Sequence, residues 1–380
     1  MRPTRAEIDL SALRHNLNAI RSRTGATEII AVVKADAYGH GAVPVAAELY
    51  RNGVRSFAVA CLEEAVELQD AGVVSGARVI VLGPLRSDEI EEMRRRGLVG
   101  MVSCPADVDL LSRLPDGPDL SVVLDLDTGM GRMGLCPEEL PDALDRLAAA
   151  SMVKVVGVFS HFAVADMQSD DDLDYTRRQI QDFELLAGRV KDRFPDAGLM
   201  SLANSGGIFF HESSVFNAVR PGITLYGVSP NPDLALPVAL EPVMRLVTEV
   251  VQVRLLPAGA CVSYGRRTVL TRPSRIALLP VGYADGLTRR ISPGFPLVVR
   301  ARPAPVAGVV TMDLTMIDVT EIPEARPGDR VLLLGRDRQR DQSGREVRVE
   351  VAAEAHAVAA RGIPYEILTG IGKRVRREYF

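Results

Sequence analysis

Short β-branched runs recur eight times in the first two thirds of this chain, each followed by a longer stretch of helical character. They are EIIAVVK ending at Lys34, SFAVAC near 56, ARVIVLG near 77, GLVGMVS near 97, LSVVLDLD near 120, VKVVGVFSH near 153, GLMSLAN near 198 and AVRPGITLYG near 218. AVPVAAELYRNG from 42 and DDLDYTRRQIQDFELLAGRVKDRF from 171 exemplify the helical segments between them. Strands that alternate with crossover helices make a parallel sheet, and eight such units over this length fit a closed (β/α)8 barrel better than an open sheet. From about residue 240 the rhythm changes to β-rich runs punctuated by Pro and Gly, with RDRQRDQSGREV at 336–347 as a solvent loop between strands. The expectation is α/β plus all-β. Residues 1–238 form the barrel, with the first few able to pair with the β domain, and 239–380 form a C-terminal β-strand domain.

Composition narrows the function. A net charge of −4 lacks the concentrated basic field of a nucleic-acid binder, and the Arg-rich end KRVRR is too short to supply one. No apolar run approaches the roughly 18 residues of a membrane span, and the N-terminus has no apolar signal core. Cys61, Cys104, Cys136 and Cys261 show neither CxxC nor metal-like spacing, so no metal is expected and a reducing cytoplasm fits. Only four of the 45 basic residues are lysines: Lys34, Lys154, Lys191 and Lys373. Where charge alone is needed this chain uses Arg. A Lys at the end of an apolar strand therefore points to chemistry that requires an amine able to lose its proton, which Arg does not do.

In a barrel of this type the C-terminal ends of the strands face the active site. Lys34 lies at such an end, before the small-residue turn ADAYGHG, and its amine there can form a Schiff base with an aldehyde cofactor. The bland alternative is a lysine that merely caps a strand. DTGMGR, SHFA, ANSGG and RPGITLYG stand at or within later strands and converge on the same rim. Ser205 with its glycines, and the amides of Gly222 and Ile223, suit an anion such as a phosphate. His40 in its turn, and His15, His211 and His356 in helical patterns, read as structural, and Asp285 and Asp313 as turn caps.

AVVKADAYGHG, DTGMGRMG, ANSGG, VRPGITLYG, VSYGRR, VGYADGLTR, TMDLTMIDV and IPYEILTGIGKRVRREY occur in an order that resembles the alanine racemase family over essentially the whole chain. The resemblance implies a PLP-dependent isomerase, an amino-acid racemase, with an N-terminal barrel, a C-terminal β domain, and a head-to-tail homodimer with shared active sites. It implies a small amino-acid substrate, alanine, and supply of D-alanine for peptidoglycan. It makes Lys34 the PLP lysine and one catalytic base, and Tyr264 the other. Tyr38, Ser205, Gly222, Ile223 and Tyr365 surround the phosphate, His161 lies beside the pyridine ring, and Arg220 meets its nitrogen. Arg132 and the Met312 amide meet the substrate carboxylate, and Tyr283 guards the entry. In the family Tyr264, Tyr283 and Met312 reach the site from the partner subunit.

Racemisation must remove the Cα proton on one face and return one on the other, so two bases must flank the cofactor. A free phenol titrates at about 10, so Tyr264 needs cationic neighbours, and Arg266 and Arg267 are close in sequence. The chain also departs from the family. Asp125 stands where many members carry a carbamylated lysine, Ser201 where a histidine commonly supports the pyridine-contacting arginine, and Thr311 where cysteine is frequent. A carboxylate at 125 still offers negative charge to orient Arg132, through a shorter arm. The rivals are a racemase of another small amino acid, a PLP-dependent decarboxylase of the same architecture, a non-catalytic PLP carrier, and a specialised or inactive racemase homologue. The arginine in VRPG disfavours the decarboxylase, which benefits from a protonated pyridine with an acidic partner.

Overall fold

The computed structural model describes residues 2–380. All eight runs form strands, at Glu28–Val32, Ser56–Val59, Arg78–Val81, Val99–Val102, Leu120–Asp125, Val153–Phe159, Leu199–Ser201 and Ala218–Val219. They pair in parallel with their sequence neighbours, and Glu28–Ile29 pairs with Ala218–Val219 to bring the first strand against the last. Ser56–Val59 and Val99–Val102 are buried at every position, because helices cover their outer face and neighbouring strands fill the inner one.

No backbone ladder joins Leu199–Ser201 to Ala218–Val219, and a side chain completes that seam. Asn217 Oδ1 accepts from the Met200 amide at 2.7 Å, its Nδ2 donates to the Gly198 carbonyl at 2.7 Å, and the Arg220 amide donates to the Ala203 carbonyl at 2.9 Å. The last strand is only two residues long. The expectation that AVRPGITLYG runs as one strand is corrected: Pro221 has no N–H to offer a ladder, and Ile223–Tyr226 wind into a 3-10 turn. Gly222 and Ile223 therefore sit beyond the strand, on the rim.

Arg5–Ile8, at the start of the chain, pairs antiparallel with Met244–Glu249 and parallel with Arg376–Tyr379, so both chain ends enter the β domain. The sheet extends through Arg330–Arg340, Pro296–Val299 and Arg302–Pro305. Glu7 lies buried within it and bonds Arg245 and Arg330. Burial opposes its ionisation, but those two guanidiniums outweigh it and hold the carboxyl down at about 2.

The polar segment 336–347 is mostly not a loop. Residues 336–340 continue the strand, 346–351 return antiparallel, and the turn lies between. Its period-two signal was hidden because both faces are polar: Asp337 is buried against Arg330 while Arg336 and Arg338 pair across the hairpin with Glu350 and Glu346. A second sheet, Gln252–Leu256, Ser274–Leu279 and Thr315–Asp318, lies beside the small hairpin Cys261–Val262/Thr268–Val269, whose tip carries Tyr264.

Candidate active site

Lys34 follows the first barrel strand, and the four residues after it are all left-handed: Ala35, Asp36, Ala37 and Tyr38 have φ between 52° and 54°. Such backbone costs roughly 1–2 kcal/mol per non-glycine residue, so the surroundings must hold it. Asp36 Oδ1 accepts from the Ala42 amide at 2.8 Å, and the Asp36 carbonyl from the Gly41 amide at 2.9 Å. His40 Nδ1 donates to the carbonyls of Ala37 and Tyr38, both at 3.0 Å. Burial lowers the His40 pKa to about 4, so the ring is a neutral strut, as its place in the turn suggested. From the far end of the chain the Arg377 guanidinium grips the Gly39 carbonyl at 3.1 Å. The sequence patterning gave no sign of a left-handed turn, because alanines and a tyrosine are not left-handed residues by preference.

A cavity of about 680 Å³ opens above this turn at the C-terminal ends of the strands. Lys34, Tyr38, Arg132, His161, Ser205, Arg220, Gly222, Ile223 and Tyr365 all line it, so nine of the twelve expected site residues meet in one place, with Asp125 beside them. Burial, with Arg132 and then Arg220 adding to it against Glu64, lowers the Lys34 pKa and favours the free amine.

One corner gathers hydroxyls and amides. The Gly222 amide donates to Ser205 Oγ at 3.0 Å, and Ser205 Oγ also meets Thr224 Oγ1 at 3.0 Å. A Cβ on Gly222 would stand 2.4 Å from the Tyr38 hydroxyl, so only glycine lets the backbone come this close. The Tyr38 and Tyr365 rings are 6.0 Å apart, and burial raises the pKa of both phenols, which keeps them as proton donors. Neither hydroxyl has a hydrogen-bond partner among the described residues. A phosphate suits such a corner.

Arg220 lies buried in the cavity wall. Its NH1 donates to the Ser201 carbonyl at 2.6 Å, its NH2 to the Ser160 carbonyl, and its guanidinium lies 4.7 Å from the centre of the Phe159 ring. Two main-chain carbonyls thus orient it, and the Ser201 hydroxyl is buried without a partner among the described residues. Burial lowers the Arg220 pKa to about 10, and it stays cationic near neutral pH. His161 is held neutral, its pKa lowered to about 3 by burial first and then by Arg220 and Arg132. Gln179, on the helix Asp170–Arg193, braces this wall: its Oε1 accepts from the Ala163 amide at 3.0 Å and its Nε2 donates to the His161 carbonyl at 3.1 Å. Neither Gln179 nor Thr224 stood out in the sequence, since a helical glutamine and a threonine carry no motif.

Tyr264, Tyr283 and Met312 do not line the cavity. They belong to the β domain, 70%, 44% and 52% exposed, with Leu314 also exposed beside Met312. Their loops are nonetheless tightly built. Buried Asp285 accepts from Arg2 at 2.9 Å and from Arg374 at 2.6 Å, while Arg374 also reaches Asp313 at 2.8 Å. The Met312 carbonyl accepts from the Ala284 amide at 3.1 Å. Asp285 is thus a buried organiser of two turns rather than a simple cap. Arg266 turns back onto Cys261 Sγ at 3.3 Å.

An amine favoured in its neutral form, the guanidiniums of Arg132 and Arg220 beside the carboxyl groups of Asp125 and Asp166, and a phenol-lined anion corner fit pyridoxal phosphate, which brings an aldehyde and a phosphate. A barrel with a β domain and this cavity defines a PLP-dependent enzyme. The family models for the alanine racemase N-terminal and C-terminal domains match residues 8–230 and 243–379, and the chain belongs to the alanine racemase family. The alanine racemase of Sorangium cellulosum is 41% identical over 388 residues, which cover all of this chain and 99% of that one. The alanine racemase of a D-cycloserine-producing Streptomyces lavendulae superposes with a TM-score of 0.90 at 35% identity, over all of this chain and 97% of that one. That of Bartonella henselae, solved with covalently bound pyridoxal phosphate, gives 0.87 at 30% identity over the whole of both chains.

Proposed function

We propose that this chain interconverts L- and D-alanine by a two-base mechanism, as a cytoplasmic homodimer that supplies D-alanine for peptidoglycan. Residues 1–238 are the cofactor-binding barrel unit and 239–380 the unit that completes a neighbour's site. The observation that carries this reading is the placement of Lys34 and Arg220 in one cavity, with no carboxylate in ion-pair contact with Arg220 among the described residues.

Pyridoxal phosphate, when bound, supplies an aldehyde that takes up amines and a ring that withdraws electrons from Cα. Lys34 holds it, Ser205, Tyr38, Tyr365 and the amides of Gly222 and Ile223 receive the phosphate, and His161 packs as a neutral ring beside it. Arg220 donates hydrogen bonds and has no proton to lose near neutral pH, so it favours an unprotonated ring nitrogen and weak electron withdrawal. With the group bound, weak electron withdrawal would leave little opportunity for misplaced protonation. Lys34 Nζ moves the Cα proton on one face. The phenol oxygen of Tyr264 of the partner subunit moves it on the other, while Arg132 and the partner's Met312 amide hold the substrate carboxylate and the partner's Tyr283 narrows the entry.

The test is chiral chromatography of a panel of L-amino acids incubated with the purified protein. Alanine should racemise fastest, Lys34→Ala should lose both covalent PLP and activity, and Tyr264→Phe should keep PLP but exchange the Cα proton mainly from one face. Carbon dioxide and an amine as products would establish a decarboxylase instead. Full racemase activity in Tyr264→Phe would remove that residue from the mechanism.

A further inference from the structure

Glu64 lies on the helix Leu62–Asp70 and is not part of the cavity wall. Its two oxygens bridge two main-chain amides: Oε1 accepts from Ala35 at 2.6 Å and Oε2 from Ala60 at 2.8 Å. Ala35 follows Lys34 and is the first of the left-handed residues, while Ala60 ends the neighbouring strand Ser56–Val59 and lines the cavity. Both amides lie where the parallel ladder has run out. A carboxylate that binds two N–H groups with separate oxygens makes charge-assisted bonds and fixes one peptide relative to the other. The peptide it holds is Lys34–Ala35, so it sets the direction in which the Lys34 side chain leaves the backbone.

Its neighbours on the same turn act further along. Asp36 and His40 hold the middle of the turn and Arg377 its end, so Glu64 is the side chain that secures the junction with the strand, beside the main-chain bonds from Val33 to Ala58 and from Ala37 to Val33. The charged and titratable groups facing Lys34 are Arg132, Arg220, His161, Asp125, Tyr38 and Glu64. Among them Glu64 contributes the negative charge that favours the ammonium form of Lys34, against Arg132 and Arg220.

We propose that Glu64 is a positioning residue for Lys34, latching the strained turn to the adjacent strand end so that the amine is presented into the cavity. The proposal rests on the reading of Lys34 as the cofactor lysine.

The test uses full-length protein stripped of cofactor and reloaded with pyridoxal phosphate across a pH series. Borohydride reduction and mass spectrometry of the Lys34 peptide then measure the covalent adduct. Glu64→Gln keeps the volume but loses the charge and one acceptor, and should move the pH midpoint of adduct formation down by about half a unit, because removing a negative charge favours the neutral amine. Alanine racemisation by Glu64→Gln should lose about ten-fold in kcat with KM within about two-fold, the signature of a misplaced reacting group. Glu64→Asp keeps the charge on an arm too short to reach both amides, so it should keep the midpoint and lose a similar part of kcat. Wild-type kcat in Glu64→Asp, or a lower melting temperature in Glu64→Gln with midpoint and kcat unchanged, would overturn the proposal. Absence of an adduct at Lys34 in the wild-type protein would overturn the reading of Lys34 itself, and the proposal with it.

Discussion

Asp125 is a carboxyl group in the cavity wall. It is buried at the cavity edge with Arg132 and Arg220 acting on it, and its carboxyl makes no ion pair within 4.0 Å among the described residues. Burial pushes its pKa up to about 7, against the pull of Arg220 and Arg132. The folded pKa is therefore higher than the unfolded one. The stabilising effect of the protonated group is complete below about pH 4 and is lost as pH rises to about 7, since the folded state must then hold an ionised carboxylate in a poorly solvated place. Asp125→Asn removes that penalty. Urea unfolding of cofactor-free protein should show the variant about 2–4 kcal/mol more stable than wild type at about pH 8 and nearly equal at about pH 4. A difference independent of pH would mean that Asp125 is not titrating in this window.

Elements act on the site mostly from outside it. The helix Asp170–Arg193 starts well, with Ser169 Oγ accepting from the Asp172 amide at 3.2 Å and Asp170, Asp171 and Asp172 in its first turn, where the helix dipole favours negative charge. Its buried stripe then carries Gln179 under the loop after the sixth barrel strand. That loop has no strand to satisfy its polar groups, and one side-chain amide serves both a donor and an acceptor there. Gln179→Ala leaves the Ala163 N–H and the His161 carbonyl without these partners, which should cost about 1–3 kcal/mol in urea unfolding and loosen His161. A wild-type unfolding midpoint would show that water replaces the glutamine at no cost.

At the scale of the whole molecule one proposed base lines the cavity and the other stands outside that lining, on an exposed hairpin tip, and the proposed homodimer is what would join them in one site. This makes a direct test. Lys34→Ala and Tyr264→Phe should each be inactive alone. Unfolded together and refolded as a mixture, they should regain about a quarter of wild-type activity, because half the dimers are mixed and each has one intact site of two. No recovery on mixing would place Lys34 and Tyr264 in the same site of one chain.

The barrel was readable from the sequence because each strand is a local apolar run, buried on both faces and bounded by polar or glycine-rich turns. Lys34 was readable for a related reason: in a chain that uses Arg for charge, a lysine at a strand end stands out. Patterning did not reveal the end of the last barrel strand at Val219, the Asn217 seam or the polar hairpin, since each depends on partners far along the chain. Sequence resemblance alone named Tyr264, whose exposed place on the β domain is a property of the folded chain. Tertiary structure alone decided the left-handed turn after Lys34. Ala35, Ala37 and Tyr38 have no local preference for that backbone, and Glu64, Asp36, His40 and Arg377 together hold what short-range sterics oppose.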